Sequence, residues 1–337
     1  MNGPGNGCGR IGVRIAGSGS AVPPRVLANA DLEKLMDTSD EWIVQRTGIR
    51  ERRIVDPQTE GVFTLSRDAL TRALAAADMK ANQLDLILLA TVSGEMSCPS
   101  VACRVAADLG AGEAGAMDVV AACSGFVYGL NVGETLVRSG RYRNIAVIGC
   151  DALSTVVDYS ERSVSILFGD AAGAVVLMPD PDPGRGCLFQ TMRADGTLWP
   201  SLYMPRRPQE VPEADKDNPI RYGCLRMNGR EVYKFAVTKF REVIEEALSA
   251  TELTVDQVSQ FVCHQSNTRI IQAAKEKVGL PDDKVYINID RYGNSSSGSV
   301  PLCFDELWRA GKIRQGEIVL FVAFGGGLTW ASSVWRI

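Results

Sequence analysis

Apolar residues mark out the elements first. Ala69, Leu70, Ala73, Leu74 and Ala77 recur at helical spacing after Leu65, and the chain then enters Leu86-Ile-Leu-Leu-Ala90, an unbroken apolar run that reads as a fully buried strand. A short strand is predicted over residues 117–121, then Cys123-Ser-Gly125, a helix over 126–138 stopped by Gly140, and a strand over 145–149.

The second half repeats that order. Val232, Phe235, Ala236, Phe240, Val243, Ile244 and Ala247 predict a helix, followed by a strand over 258–263 that ends on His264. A short strand over 285–289 leads through Gly293-Asn294 into a helix closed by Gly311, before a strand over 318–324. Cys123 to Gly140 and Asn294 to Gly311 span the same 17 positions, and Arg138-Ser-Gly140 echoes Arg309-Ala-Gly311. Buried strands followed by glycine-stopped helices occur in any α/β protein. The shared order and spacing favour duplication of one α/β unit, with Cys123 and Asn294 at equivalent strand-to-helix turns. Residues 199–219, dense in proline and charge, read as a surface loop joining the halves, with a lid as the alternative.

Composition narrows the classes. At 337 residues and 45% apolar, the chain is long enough for two packed halves, 11–184 and 185–337, after a Gly- and Asn-rich segment, 1–10, that reads as a flexible tail without the apolar stretch of a secretory signal. A net charge of -4 without a basic run offers no footprint for nucleic acid or an anionic membrane, and the apolar runs are too short to span a bilayer. Nine scattered cysteines fit a reducing cytoplasm, while a single histidine and no paired CxxC leave little for a metal site.

The chemistry then concentrates on three residues. Cys123 sits at a helix N-terminus among small neighbours, where the helix dipole favours the thiolate; its alternative role is a small core residue. His264 ends a buried strand, a place from which a side chain can face a pocket, or where it can be merely structural. Asn294 is either a third pocket residue or a helix cap. Phe324-Gly-Gly-Gly-Leu-Thr-Trp330 has no following Lys-Ser/Thr, so it fits an oxyanion-binding loop better than a phosphate loop, with an ordinary turn as the plain reading.

Taken together, these segments resemble the β-ketoacyl-acyl-carrier-protein synthases III, a thiolase-like condensing enzyme family. The resemblance runs from Gly17-Ser-Gly-Ser20 to Trp335 through Asp37-Thr-Ser-Asp-Glu-Trp-Ile43, Arg46-Thr-Gly-Ile-Arg-Glu-Arg52, Ala121-Ala-Cys-Ser-Gly125, Phe168-Gly-Asp-Ala-Ala-Gly173, His264-Gln-Ser-Asn267, Tyr292-Gly-Asn-Ser295 and Phe324-Gly-Gly-Gly327. It implies an α/β fold of αβαβα layers with two mixed sheets. It also implies transfer of an acyl group, acetyl by default, from acyl-CoA to Cys123, and decarboxylative condensation with malonyl-acyl-carrier protein driven by His264 and Asn294. The backbone N–H groups of Cys123 and Gly326 would form the oxyanion hole. Trp42 and Arg162 would sandwich the adenine of CoA, with Arg46, Thr47 and Asn267 along the pantetheine channel. Cys98 and Phe168 would bound the acyl tunnel, and Lys234, Arg269 and Lys277 would face the acidic carrier protein. No cofactor or metal is implied; a cytoplasmic homodimer is.

Cys98, in Met96-Ser-Cys-Pro-Ser100, replaces a bulkier residue that the family commonly contributes across the dimer, which leaves primer length open. Two rivals follow: a specialised relative handling a longer or branched acyl group in secondary metabolism, and a non-catalytic acyl-binding subunit, which would typically have lost the nucleophile.

Overall fold

The computed structural model describes residues 11–337; the expected tail, 1–10, lies outside the described residues. Two sheets carry the chain. The first comprises β1 (Gly12–Ala21), β2 (Leu86–Ala90), β3 (Gly115–Val119), β4 (Ile145–Ala152) and β5 (Asp170–Asp180), in the spatial order β1-β5-β4-β2-β3. The second comprises β6 (Gly186–Ala194), β7 (Gln260–Cys263), β8 (Ile318–Gly325) and β9 (Thr329–Arg336), in the order β7-β8-β9-β6. Both are mixed. In each sheet the outer strand pairs antiparallel with the next, that one antiparallel with the third, and the third parallel with the fourth.

The correspondence extends to the fifth strand. β3 lies parallel to β2 along five residue pairs, whereas its counterpart in the second half is a single parallel bridge between Phe261 and Val285. The strand predicted over 285–289 therefore does not form. Asn288 donates its backbone N–H to the Gln265 side chain, and Ile289–Tyr292 turns into a short helix instead.

The helices that matter are α1 (Asp40–Thr47), α2 (Val62–Ala76), α3 (Val101–Leu109), α4 (Gly125–Arg138), α5 (Gly229–Thr251), α6 (Thr268–Val278) and α7 (Ser299–Arg309). Three apolar cores define five layers. One joins α2 and α3 to the first sheet, one joins α5 and α6 to the second, and between the sheets Phe126 and Leu130 of α4 meet Phe304 and Leu307 of α7. A helix packed on both sides is buried nearly all round, and both central helices are, down to Asn131 and Glu134 of α4 and Asp305 of α7.

The duplication changes one expected equivalence. α4 follows a 3₁₀ turn at Ala122–Ser124, and α7 follows one at Ser296–Gly298. Ala122 and Ser296 both have left-handed backbones, at φ 47° and 50°. The counterpart of Cys123 is thus Ser297 and not Asn294. The equal spacing misled because α7 has 11 residues where α4 has 14. Ser297 presses onto the first sheet, where a Cβ on Gly149 would come within 2.2 Å of its carbonyl oxygen.

Candidate active site

Cys123 is buried at the turn before α4. The turn is held by hydroxyls: Ser124 Oγ donates to the Ala121 carbonyl at 2.8 Å and lies 2.6 Å from Thr329 Oγ1, itself 3.1 Å from the Gly326 carbonyl. The glycine-rich loop is thereby pinned to the nucleophile turn. Only glycine fits at 325, because a Cβ there would sit 2.6 Å from the backbone nitrogen of Cys123.

His264 continues β7, donating its backbone N–H to the Val322 carbonyl at 2.8 Å. Its Nδ1 lies 2.7 Å from Ser299 Oγ at the start of α7, and its ring meets Phe324 edge to face at 5.4 Å. Burial lowers the imidazole pKa to about 3, so the ring is neutral at physiological pH. Asn294 is anchored by its backbone, which donates to the Leu167 carbonyl and accepts from Gly169 N–H. Its Oδ1 accepts the Ser296 N–H at 2.9 Å, which leaves Nδ2 as the free end of the amide. The side chain closes a local turn and does not cap α7, which begins at Ser299.

These elements bring Cys123, His264 and Asn294 onto one cleft of about 630 Å³, walled also by Phe324, Phe168 and Leu202. On the other side of Cys123 a larger cavity, about 1960 Å³ including its open mouth, is lined by Phe168, Met96, Ser97, Met204, Gly326 and Ser296. The thiol itself corrects an expectation. Its pKa is pushed up to about 12, because burial outweighs the opposing influence of the nearby Ser296 side chain and of its own backbone, and the charge of Asp151 raises it further. The resting nucleophile is a thiol.

Along the approach to the cleft, Arg162 lies over the Trp42 ring at 4.8 Å and Arg46 at 5.7 Å. Asn267 caps α6 with its Oδ1 and donates its Nδ2 to the Arg46 carbonyl, so it ties the cleft wall to α1. Thr47 ends α1. It is buried, and its hydroxyl donates to the Ile43 carbonyl and accepts the Ile49 N–H, which makes it part of the α1 terminus. Cys98 is exposed, beside Met96, Ser97 and Ser100, which line the larger cavity. Lys234 on α5 and Arg269 and Lys277 on α6 are exposed, on two helices whose Tyr233 and Ile270 line the cleft. The 199–219 segment is more than a connection, since Leu202 walls both cavities and Leu202–Tyr203 pairs with Arg226–Met227.

Several residues at the site carry no sequence signature. Ser296, Ser299 and Asp151 are buried polar side chains, and Asp151 accepts from Thr91, Ser93, Ser297 and the Val92 N–H, joining the two halves behind the nucleophile.

Known proteins agree with this geometry. Residues 117–196 match the family described as 3-oxoacyl-[acyl-carrier-protein (ACP)] synthase III, and residues 248–337 match its C-terminal part. A β-ketoacyl-[acyl-carrier-protein] synthase III of Caldanaerobacter subterraneus is 46% identical, over 97% of this chain and 98% of that protein. The chain belongs to the β-ketoacyl-acyl-carrier-protein synthase III family. The crystal structure of the Aquifex aeolicus synthase III superposes with a TM-score of 0.89 at 41% identity, covering 97% of this chain and all of that one. A priming β-ketosynthase of the R1128 polyketide pathway also gives 0.89, at 35% identity, covering 97% of each. This synthase III is an acyl-transferring condensing enzyme that initiates fatty acid synthesis, on a thiolase-like fold. Among the described residues no helix is long and apolar enough to cross a membrane, and no group of three His, Cys, Asp or Glu side chains is placed to hold a metal ion.

Proposed function

We propose that Cys123 is the acyl acceptor and that His264 and Asn294 drive the decarboxylation. The convergence of these three side chains on one cleft carries the reading. Cys123 sulfur attacks the thioester carbonyl of an acyl-CoA; the new C–S bond forms as the bond to CoA breaks, and the thiol proton leaves with CoA. A malonyl thioester on the carrier protein then loses carbon dioxide, and its electron pair delocalises onto the thioester oxygen. Neutral His264 and the free Nδ2 of Asn294 donate to that oxygen, where preorganised dipoles act strongly away from water. The carbanion attacks acyl-Cys123, whose carbonyl oxygen is held by the N–H groups of Cys123 and Gly326, and expels the thiolate to give the 3-oxoacyl-carrier protein.

The remaining roles follow the same reading. Trp42 and Arg162 open to admit the adenine of CoA between them, Arg46, Thr47 and Asn267 shape the pantetheine path, and Lys234, Arg269 and Lys277 attract the acidic carrier protein. Phe168 bounds the acyl tunnel. The enzyme acts in the cytoplasm as a homodimer of chains divided into the halves 11–184 and 185–337, without a cofactor. β3 is a sheet edge that exposes Met117, with exposed Val120 directly after it, and exposed Cys98 is free to enter a partner's tunnel. Acetyl is the default primer. The likeness to a polyketide priming ketosynthase keeps a second reading, a specialised relative with a longer or branched primer. A panel of acyl-CoA primers assayed with malonyl-carrier protein separates the two: acetyl-CoA is expected to be the best primer, and an inert acetyl-CoA beside an active long or branched primer would overturn the default.

A further inference from the structure

Ser296 is a residue that the turn alone does not need. Its backbone is left-handed at φ 50°, a conformation that is strained for a non-glycine residue. Glycine would serve the turn with less strain. The backbone N–H and carbonyl are both engaged, by Asn294 Oδ1 and by the Ser299 backbone N–H. The side chain is not: Ser296 is 1% exposed, and its Oγ has no hydrogen-bond partner in the resting site. Ser296 and Cys123 both line the acyl-side cavity, and the two turns that carry them pack against each other. A buried donor left without an acceptor is destabilising, and the loss is recovered only if an acceptor arrives.

We propose that the acceptor is the sulfur of Cys123, and that the Ser296 hydroxyl is a catalytic residue that donates to this sulfur as it becomes anionic during acyl transfer. Ser296 keeps its proton throughout. It stabilises the developing thiolate when Cys123 attacks the acyl-CoA carbonyl, and again when condensation expels the thiolate. The inference rests on the reading of Cys123 as the acyl acceptor. The direction of the electrostatics agrees, since the Ser296 side chain favours the thiolate against burial. The other titratable or charged groups around the two cavities are His264, which is neutral, Asp151, whose charge opposes the thiolate, and Asp118, Tyr203, Tyr233 and Arg206. The Asp118 carboxylate is already engaged by the N–H groups of Val101 and Ala102.

The test is the rate of Cys123 alkylation by iodoacetamide at pH 8, read on the Cys123 peptide by mass spectrometry, in the wild type, Ser296→Ala and Ser296→Gly. A charge-assisted hydrogen bond lost from a thiolate raises its pKa by about one unit, and the gain in intrinsic nucleophilicity offsets part of the loss, so both variants are expected to alkylate about three- to tenfold more slowly. Ser296→Gly suits the left-handed backbone and carries the test if Ser296→Ala fails to fold. Wild-type alkylation rates in Ser296→Gly would overturn the proposal. Acetyl transfer from acetyl-CoA, followed on the same peptide, reports separately on the underlying reading. A wild-type Cys123 that alkylates but never acetylates would overturn that reading, while the comparison of alkylation rates would still judge the thiolate contact.

Discussion

Ser299 Oγ stands 2.7 Å from Nδ1 of His264, and the single proton of that hydroxyl decides which face of the imidazole can donate. Two acceptors compete for it, Nδ1 and the Ser296 carbonyl at 2.9 Å. The carbonyl stays paired with the Ser299 backbone N–H when the hydroxyl turns to Nδ1, and on that ground we assign the hydroxyl proton to Nδ1. Nε2 then carries the ring proton toward the cleft, which is the tautomer an enolate oxygen requires.

That arrangement makes Ser299 a positioning residue for His264. Ser299→Ala should slow decarboxylation of malonyl-carrier protein by up to about tenfold, the worth of one net hydrogen bond, while leaving acyl transfer to Cys123 at its wild-type rate. Assaying the two half-reactions separately checks this, and an equal loss in both would contradict it.

Acid stability carries a second expectation. His264 titrates near its ordinary value of 6.5 when unfolded and at about 3 when folded, so between these values the unfolded chain binds the extra proton and stability falls as pH falls. Asp170 works in the opposite direction, because its pKa is raised by burial from 3.8 to about 6 and the folded state binds the proton in that window. Removing one group isolates its share: His264→Gln should lose less stability between pH 7 and pH 4 than the wild type. Each pKa unit corresponds to about 1.4 kcal/mol, so the difference amounts to a few kcal/mol at most. Denaturant unfolding at the two pH values measures it, and parallel pH slopes would refute it.

Arg52, within the recognisable Arg46–Arg52 segment, acts through structure. It is fully buried, its pKa lowered to about 10 by that burial, and it donates to the Leu27 and Ile166 carbonyls and to Asn29 Oδ1. Arg52→Ala strands these acceptors and leaves a cavity, so a loss of roughly 3–5 kcal/mol is expected in urea unfolding. A change below 1 kcal/mol would show that the network is dispensable.

At the mouth, Arg162 already covers the Trp42 face at 4.8 Å. On the proposed reading CoA binding parts them, so CoA should change Trp42 fluorescence, and Trp42→Ala should raise the KM for acyl-CoA about tenfold with little change in kcat. An unchanged KM would remove Trp42 from the nucleotide site.

How much of this was legible in the sequence depended on the range of the interactions. Leu86–Ala90 was recognisable residue for residue, because a strand buried on both faces leaves an unbroken apolar run. The strand expected over 285–289 was not realised because side chains from elsewhere in the fold, Gln265 and Glu306, take the polar groups of Asn288. The duplication was visible in element order, yet its register was not. Counting back from Gly311 ignores that α7 starts late, and so Asn294 was matched where Ser297 belongs. The three residues that share the cleft were singled out by their turns and family segments. Ser296, Ser299 and Asp151 were not, since serines in a turn look solvated until partners more than a hundred residues away, such as Ser297 for Asp151, are brought to them. Helix-terminus reasoning placed the Cys123 pKa too low because burial cannot be read from four small neighbours.

The central claim is that Cys123 carries the acyl group, and intact-protein mass spectrometry after incubation with acetyl-CoA tests it most directly. The account predicts a single acetyl adduct that maps to Cys123 and disappears in Cys123→Ala. No adduct on the wild type, or an adduct that persists in Cys123→Ala, would contradict it.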